Sequence, residues 1–220
     1  MSTSTSTSVS TSRRLPWPGA ASESSAQRLL LGCGLAGPML FIGTFLIEGA
    51  TRPGYDAWRQ AVSDLGLGPG GGVQRADFIV FGLLIGLFAL GLRAVLARGA
   101  AAFWAPLLQG VIALGLLLDG LVPSGTLHLL GDSLTFTAFP LCAFLLAARF
   151  VRVPHWRGWA AYSVASGLLF WAALIAFQVT TKHTGPAGLF ERAAVLVSAL
   201  WTIVLAARLV TRTGRVSPRS

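Results

Sequence analysis

The sequence predicts an all-α integral membrane protein, a bundle of six transmembrane helices. Hydrophobic residues make up 54% of the 220 residues and charged residues only 11%, which leaves too little polar surface to cover a water-soluble domain. The apolar residues fall into six runs, each close to the roughly 20 residues that a helix needs to cross a bilayer. No run alternates with the period of two that is typical of membrane barrel strands, so helices must satisfy the backbone.

The six predicted spans form one transmembrane domain, residues 29–210, between two polar tails. Residues 1–28 are rich in Ser and Thr and contain little to bury, so we expect a disordered tail there. Residues 211–220 form a short basic tail. The predicted spans are 29–47, 78–96, 103–122, 127–148, 159–179 and 189–210.

The basic residues are distributed unevenly between the two sides of this bundle. Because cytoplasmic loops are enriched in Lys and Arg, their distribution predicts a plasma-membrane protein with both termini cytoplasmic. The net charge of +9 is then explained by topology and anionic lipid, and no nucleic-acid partner is expected. Of the 17 Lys and Arg residues, 12 lie in the tails and in the hairpins after the second and fourth spans: Arg13, Arg14, Arg28, Arg93, Arg98, Arg149, Arg152, Arg157, Arg208, Arg212, Arg215 and Arg219.

Most acidic residues lie on the opposite, outer side, and Asp119, His128 and Asp132 there fall inside predicted spans. We interpret loop acids such as Asp77 as solvated. Asp119 and Asp132 require partners, because a carboxylate inside a span costs about 2.5–3.5 kcal/mol. His128 and Asp132 are four residues apart and share a helix face, and a connection of only five residues (123–127) brings Asp119 close to them. We expect one pocket just below the outer surface, with His183 and the Glu191–Arg192 pair above it. The pocket is either a structural ion pair or a ligand or catalytic site.

The outer side also carries features that suit an anion. Three helices begin there, and free amides at helix N-termini attract anionic groups such as a lipid phosphate. The cations that would complete such a site are Arg52, Arg59, Arg75, Lys182 and Arg192.

The long outer loop contains a serine that invites a nucleophile interpretation. Ser63 precedes Asp64 in a glycine-rich stretch that is most often only a turn. As a nucleophile, Ser63 needs a neighbouring base, which His128 or His183 would supply.

Several stretches of the sequence point to a known family: AGPMLFIGTFLIEGATRPGYD, VSDLGLGPGG, QRADFIVFGLL and DGLVPSG. Together with His128 and the Glu191–Arg192 pair, they resemble the bacterial multi-span membrane proteins grouped as domain of unknown function 998. The resemblance runs from about Leu35 to Val210. It implies a six-helix integral membrane protein and brings no established reaction.

A looser resemblance links the chain to membrane hydrolases that use Ser, Asp and three His around zinc. This chain departs from that pattern, because it has two outward histidines, His128 and His183, and no HxxxH on one helix. A zinc site would therefore recruit Asp119 or Asp132 as the third ligand. No other cofactor is expected.

Three classes of function follow from these observations. The sequence favours a non-catalytic module that binds a lipid or a partner helix, because most features have a packing or topology explanation. The second class is a small-solute or proton-coupled transporter that uses the same acids as a relay. The third is a metal-dependent or Ser-dependent membrane hydrolase, with its site built from Ser63, Asp119, His128, Asp132 and His183.

Overall fold

A computed structural model describes residues 25–96, 98–181 and 185–213. The described residues form six long helices and two single-turn 3₁₀ helices, Ser63–Gly66 and Pro154–Trp156, with no strand among them. All six long helices are long and apolar enough to cross a membrane, which confirms the predicted six-helix architecture. They are α1 (Ser25–Thr51), α2 (Gly72–Val95), α3 (Ala100–Leu121), α4 (Thr126–Phe150), α5 (Arg157–Thr181) and α6 (Ala187–Thr213).

The helices extend beyond the apolar runs from which the spans were predicted. Residues 25–28, assigned to the N-terminal tail, form the first turn of α1, whereas residues 1–24 and 214–220 lie outside the described residues. Helix α2 begins at Gly72, six residues before the predicted span. Asp77 therefore lies in its second turn, only 7% exposed. The interpretation of Asp77 as a solvated loop acid is wrong, because the polar start of α2 is packed inside the bundle.

The six helices form a closed ring. Each helix packs mainly against its neighbours in the chain, and α6 closes the ring by packing against α1. Neighbouring helices run antiparallel, so that the start of α1 meets the end of α2, where Gly34 lies against Phe88 and Gly91 against Leu30. The first and last described residues consequently lie at the same end of the ring. We call the opposite end, where α1, α3 and α5 finish, the lid end.

Aromatic side chains fill much of the interior of the ring. Phe139 on α4 packs against Phe170 on α5 and Trp201 on α6, with ring centroids 4.8 and 5.6 Å away. The indole N–H of Trp201 donates to the hydroxyl of Ser163 at 3.0 Å, which satisfies the polar atom of a fully buried ring. Large apolar side chains such as Leu129 are exposed on the outer faces of the helices, as expected for a surface in contact with lipid.

The connection between α1 and α2, residues 52–71, covers one mouth of the ring, and we call it the lid. Val62 and Leu65 of the lid are buried, at 1% and 0% exposure. The guanidinium of Arg52, just after α1, donates to the carbonyls of Leu65, Leu67 and Pro69. The lid is thereby held in a defined conformation by its own first residue.

Arg192 on α6 attaches the lid to the other side of the ring. Its guanidinium donates to the carbonyls of Ala57 and Gln60 at 2.7 and 2.8 Å and to the Tyr55 hydroxyl. Tyr55 in turn donates to the carbonyl of Ala61 at 2.7 Å. Burial raises the pKa of the Tyr55 phenol, and the bond from Arg192 offsets part of the rise. The phenol is therefore neutral and acts as a donor.

Candidate metal centre

A cavity of about 60 Å³ lies inside the ring beneath the lid. Residues from all six helices and from the lid line it, among them phenylalanines of α1, α2, α4 and α5. None of the described lining residues is Lys or Arg, so acidic groups dominate its electrostatics. The polar lining residues are Ser63, Gln109, Asp119, Asp132, Thr135, Glu191, Ser198 and Thr202.

Asp119, His128 and Asp132 meet at the lid end of this cavity. Asp119 lies in the last turn of α3 and His128 in the first turn of α4, so the short connection between the helices places them side by side. His128 Nδ1 lies 3.4 Å from Asp119 Oδ1, and His128 Nε2 lies 3.8 Å from Asp132 Oδ2. The structure thus brings together the three residues that the hairpin argument placed in one pocket.

The imidazole and the carboxylates are close without forming hydrogen bonds. Both distances exceed the usual 2.7–3.2 Å of an N–H···O bond. Asp119 Oδ1 and His128 Nδ1 are buried with no hydrogen-bond partner in the described part of the chain. Buried polar atoms in folded proteins are rarely left unpaired. A protonated His128 would balance only one of the two carboxylates, whereas one divalent cation balances both.

The distances also suit a metal ion. One ligand atom from each of the three residues lies within 4.8 Å of the other two. Bonds of about 2.0–2.2 Å to a tetrahedral zinc ion place ligand atoms roughly 3.3–3.6 Å apart. A zinc ion would therefore require the three side chains to draw closer together. His128 would also have to present one nitrogen to the ion, because its two nitrogens face different carboxylates in this structure.

Two glycines make this arrangement possible. A Cβ atom at Gly131 of α4 would collide with Asp119 Oδ1, and one at Gly115 of α3 would lie 2.5 Å from the carbonyl oxygen of Gly131. Glycine at both positions lets α3 and α4 approach closely and leaves room for the Asp119 carboxylate over the backbone of α4. Neither glycine was predicted from the sequence, although Gly131 precedes Asp132 by one position and Gly115 precedes Asp119 by four.

Glu191 adds a third carboxylate to the cavity. It lies in the first two turns of α6, is 6% exposed, and accepts a hydrogen bond from the backbone N–H of Val62 in the lid. It lines the same cavity as Asp119 and Asp132. The sequence placed the Glu191–Arg192 pair above the cluster without giving Glu191 a role, because its contact with the cavity depends on closure of the ring.

The comparison with known protein families is decisive for part of the assignment. Residues 35–208 match the family described as "Protein of unknown function (DUF998)". The chain belongs to this family. The predicted resemblance is thereby confirmed, and a bacterial origin stays a prediction. Neither the curated proteins nor the solved structures contain a match, so the function of this DUF998 protein has to be argued from its own residues.

The five cations predicted to bind an anion are used differently in this DUF998 protein. Arg52 and Arg192 hold the lid, and Arg75 donates to the carbonyls of Gly120 and Leu121 at the end of α3. Arg59 lies 3.8 Å from Asp56 in an exposed pair. Lys182 lies outside the described residues, as does His183. The anionic-lipid site and a role for His183 stay predictions.

The N-terminus of α6 also has protein partners. The amides of Gly188 and Leu189 donate to the carbonyls of Arg59 and Trp58 in the lid, both at 3.1 Å. The sequence predicts that amides at this helix end are free to bind an anion. In the structure they bind the lid instead.

Proposed function

We propose that this DUF998 protein is a metal-dependent membrane hydrolase that holds one zinc ion through Asp119, His128 and Asp132. The observation that supports it most directly is the convergence of these three ligand atoms within 4.8 Å, next to a cavity whose described lining contains no Lys or Arg.

The donor set favours zinc of a catalytic kind. One imidazole nitrogen and two carboxylate oxygens are typical zinc ligands, and three protein ligands leave one position for water. Zinc lowers the pKa of a bound water to about 7, which supplies hydroxide near neutral pH. Glu191, which lines the same cavity, is the candidate general base that would accept the remaining proton of this water.

The structure gives less support to a serine nucleophile. Ser63 lines the cavity, but His128 lies between two carboxylates and acts as a metal ligand in this proposal. Ser63 would then have no free base among the described histidines, since His155 lies in the Pro154–Trp156 turn, beyond the end of α4 that is far from the lid. We therefore assign the nucleophile to metal-bound water and give Ser63 a position in the lid above it.

Metal analysis of the detergent-purified protein tests the first part of the proposal. We expect about one zinc ion per chain in the wild type, and a loss of tenfold or more in Asp119→Asn and His128→Ala. The matched control is His155→Ala, which removes an exposed histidine and should retain the zinc. Equal zinc in His128→Ala and His155→Ala would overturn the assignment.

Hydrolysis tests the second part, with p-nitrophenyl acetate and p-nitrophenyl phosphate as probes for ester and phosphoester cleavage. Glu191→Gln should keep zinc but lower the rate on the active probe by about 10²–10⁴, the usual contribution of a general base. Asp56→Asn, an exposed acid of the lid, is the control and should keep the full rate. Zinc binding with no hydrolysis of either probe would contradict the hydrolase proposal and show a protein that binds metal without hydrolysing these esters.

We also propose that the lid end faces the outside of the plasma membrane, with both termini in the cytoplasm. The proposal is supported by the excess of Lys and Arg in the tails and in the two hairpins at the opposite end. The zinc site would then lie near the outer surface and meet substrates from the outer leaflet or from outside the cell.

A further inference from the structure

A second group of unpaired polar atoms lies at the lid end, in the corner between α1 and α2. Oε2 of Glu48, both polar side-chain atoms of Gln74 and Oδ2 of Asp77 are buried without a hydrogen-bond partner. Gln74 is fully buried and Asp77 is 7% exposed. These atoms have no partner among the described residues. A folded protein leaves few such atoms unsatisfied, and an ion or water bound at the site is a common reason. This corner therefore requires a partner that the side chains alone do not provide.

The spacing of the residues places each pair on one face of its helix. Thr44 and Glu48 are one turn apart on α1, and Gln74 and Asp77 are one turn apart on α2. The Thr44 hydroxyl is within hydrogen-bonding reach of the Asp77 carboxylate, and the Glu48 carboxylate is its charged neighbour. Two packed helices thus bring two carboxylates, a hydroxyl and an amide to one corner.

The protein balances the charges at this corner only in part. Asp77 has a carboxylate, Glu48, as its charged neighbour. Arg52, whose guanidinium donates to three carbonyls of the lid, lies near Glu48 and offsets one of the two negative charges. Two carboxylates brought together in a buried corner need a positive partner.

The geometry points to a calcium-binding site formed by Thr44, Glu48, Gln74 and Asp77. All its donors are oxygens, which hard cations prefer, and it has no imidazole or thiolate to favour zinc. Two carboxylates, one hydroxyl and one amide carbonyl offer up to about six oxygens, the lower end of the calcium range. None of the four residues lines the central cavity, so this site is separate from the proposed zinc centre. Glu48 is only partly buried and gives the ion access from the surface.

Thermal unfolding in detergent, with and without calcium chloride, tests this inference. At about 1 mM, where the weaker protein calcium sites are filled, calcium should raise the Tm of the wild type by roughly 3–4 °C. The same concentration of magnesium should give less than half this shift, because magnesium requires a stricter octahedral geometry. Asp77→Asn should lose the calcium shift.

Three further variants make the result specific. Glu48→Gln changes a partly exposed residue and carries the test if Asp77→Asn does not fold; it should also lose the shift. Asp119→Asn, at the zinc centre, and Asp56→Asn, in the lid, should keep it. An unchanged Tm of the wild type in calcium, or a full shift in Glu48→Gln, would overturn the site. Loss of the shift in Asp119→Asn as well would show that calcium binds at the central cavity instead.

Discussion

At the scale of single residues, His128 distinguishes a metal centre from an ion pair. In an ion pair it would act as a cation between Asp119 and Asp132, whereas in a metal centre it is neutral and donates a lone pair to the ion. The absence of hydrogen-bond geometry between Asp119 Oδ1 and His128 Nδ1 favours the second role.

Zinc removal should therefore destabilise the protein through His128. A zinc-selective chelator added in the presence of calcium should lower the Tm of the wild type by about 5 °C or more, because a tightly bound ion stabilises only the folded state. The same treatment should leave the Tm of His128→Ala unchanged. Differential scanning fluorimetry measures both. Equal losses in the two proteins would show that the zinc that matters for stability is bound elsewhere.

Gly131 is the second residue whose role can be isolated. Gly131→Ala should lower the free energy of unfolding by about 1–3 kcal/mol through overpacking and should release zinc, because its methyl group takes the place of Asp119 Oδ1. Gly110→Ala is the matched control, since a Cβ there meets nothing within 4 Å; it should be neutral or stabilising by up to about 1 kcal/mol. Full zinc content in Gly131→Ala would contradict the geometry of the site.

Whether the position of each of these residues could be predicted depends on how far apart in the sequence the contacting residues are. Asp119, His128 and Asp132 could be placed together from helical spacing and a short hairpin, both of which are local. Glu191 was expected above these residues, but its place in the cavity wall could not be predicted, because α6 reaches the cavity only through closure of the ring. The role of Gly131 could not be predicted either, since glycine occurs in membrane helices for many different reasons.

At the scale of elements, the lid depends on side chains that are distant in sequence. The existence of the six helices could be predicted from apolar runs, but the position of residues 52–71 could not, because a glycine-rich loop carries no periodic signal. The structure buries Val62 and Leu65 of this loop and attaches it through Arg192, more than 120 residues away in the chain. Gln74 and Asp77, at the start of α2, are also buried.

Arg192→Lys should loosen the lid without changing a zinc ligand. Lysine cannot reproduce the planar guanidinium that reaches two carbonyls and the Tyr55 hydroxyl at once. We expect chymotrypsin to cut after Trp58, which is 57% exposed, at least about tenfold faster than in the wild type, because cleavage follows the population of the open loop. Arg157→Lys, at the far end of the ring, should be cut at the wild-type rate. Unchanged cleavage in Arg192→Lys would mean that other contacts hold the lid.

At the scale of the whole molecule, orientation in the membrane sets which side the site faces. A cysteine at Ser124, in the connection between α3 and α4, should react with an impermeant thiol reagent in intact cells, whereas a cysteine at Val151, at the opposite end, should not. Both positions are exposed, and the tests require a background in which Cys33 and Cys142 are replaced. Labelling of Val151→Cys alone would place the lid and the proposed zinc site on the cytoplasmic side.

The ring as a whole explains why the polar residues of this chain converge. Short connections make sequential helices neighbours, which the sequence indicates, but the contact between α6 and α1 that encloses the cavity has no local signal. Closure of the ring places carboxylates from α3, α4 and α6 around one cavity, and a divalent ion is the partner that best offsets their burial.

Zinc-edge X-ray absorption spectroscopy of the purified protein tests this account most directly. The proposed zinc centre should give a first shell of nitrogen and oxygen atoms at about 2.0–2.2 Å from the zinc ion. The spectrum should show the multiple-scattering signal of one imidazole and no sulfur. That imidazole signal should disappear in His128→Ala and persist in His155→Ala. A sulfur shell at about 2.3 Å, or an imidazole signal that is unchanged in His128→Ala, would contradict a zinc centre formed by Asp119, His128 and Asp132.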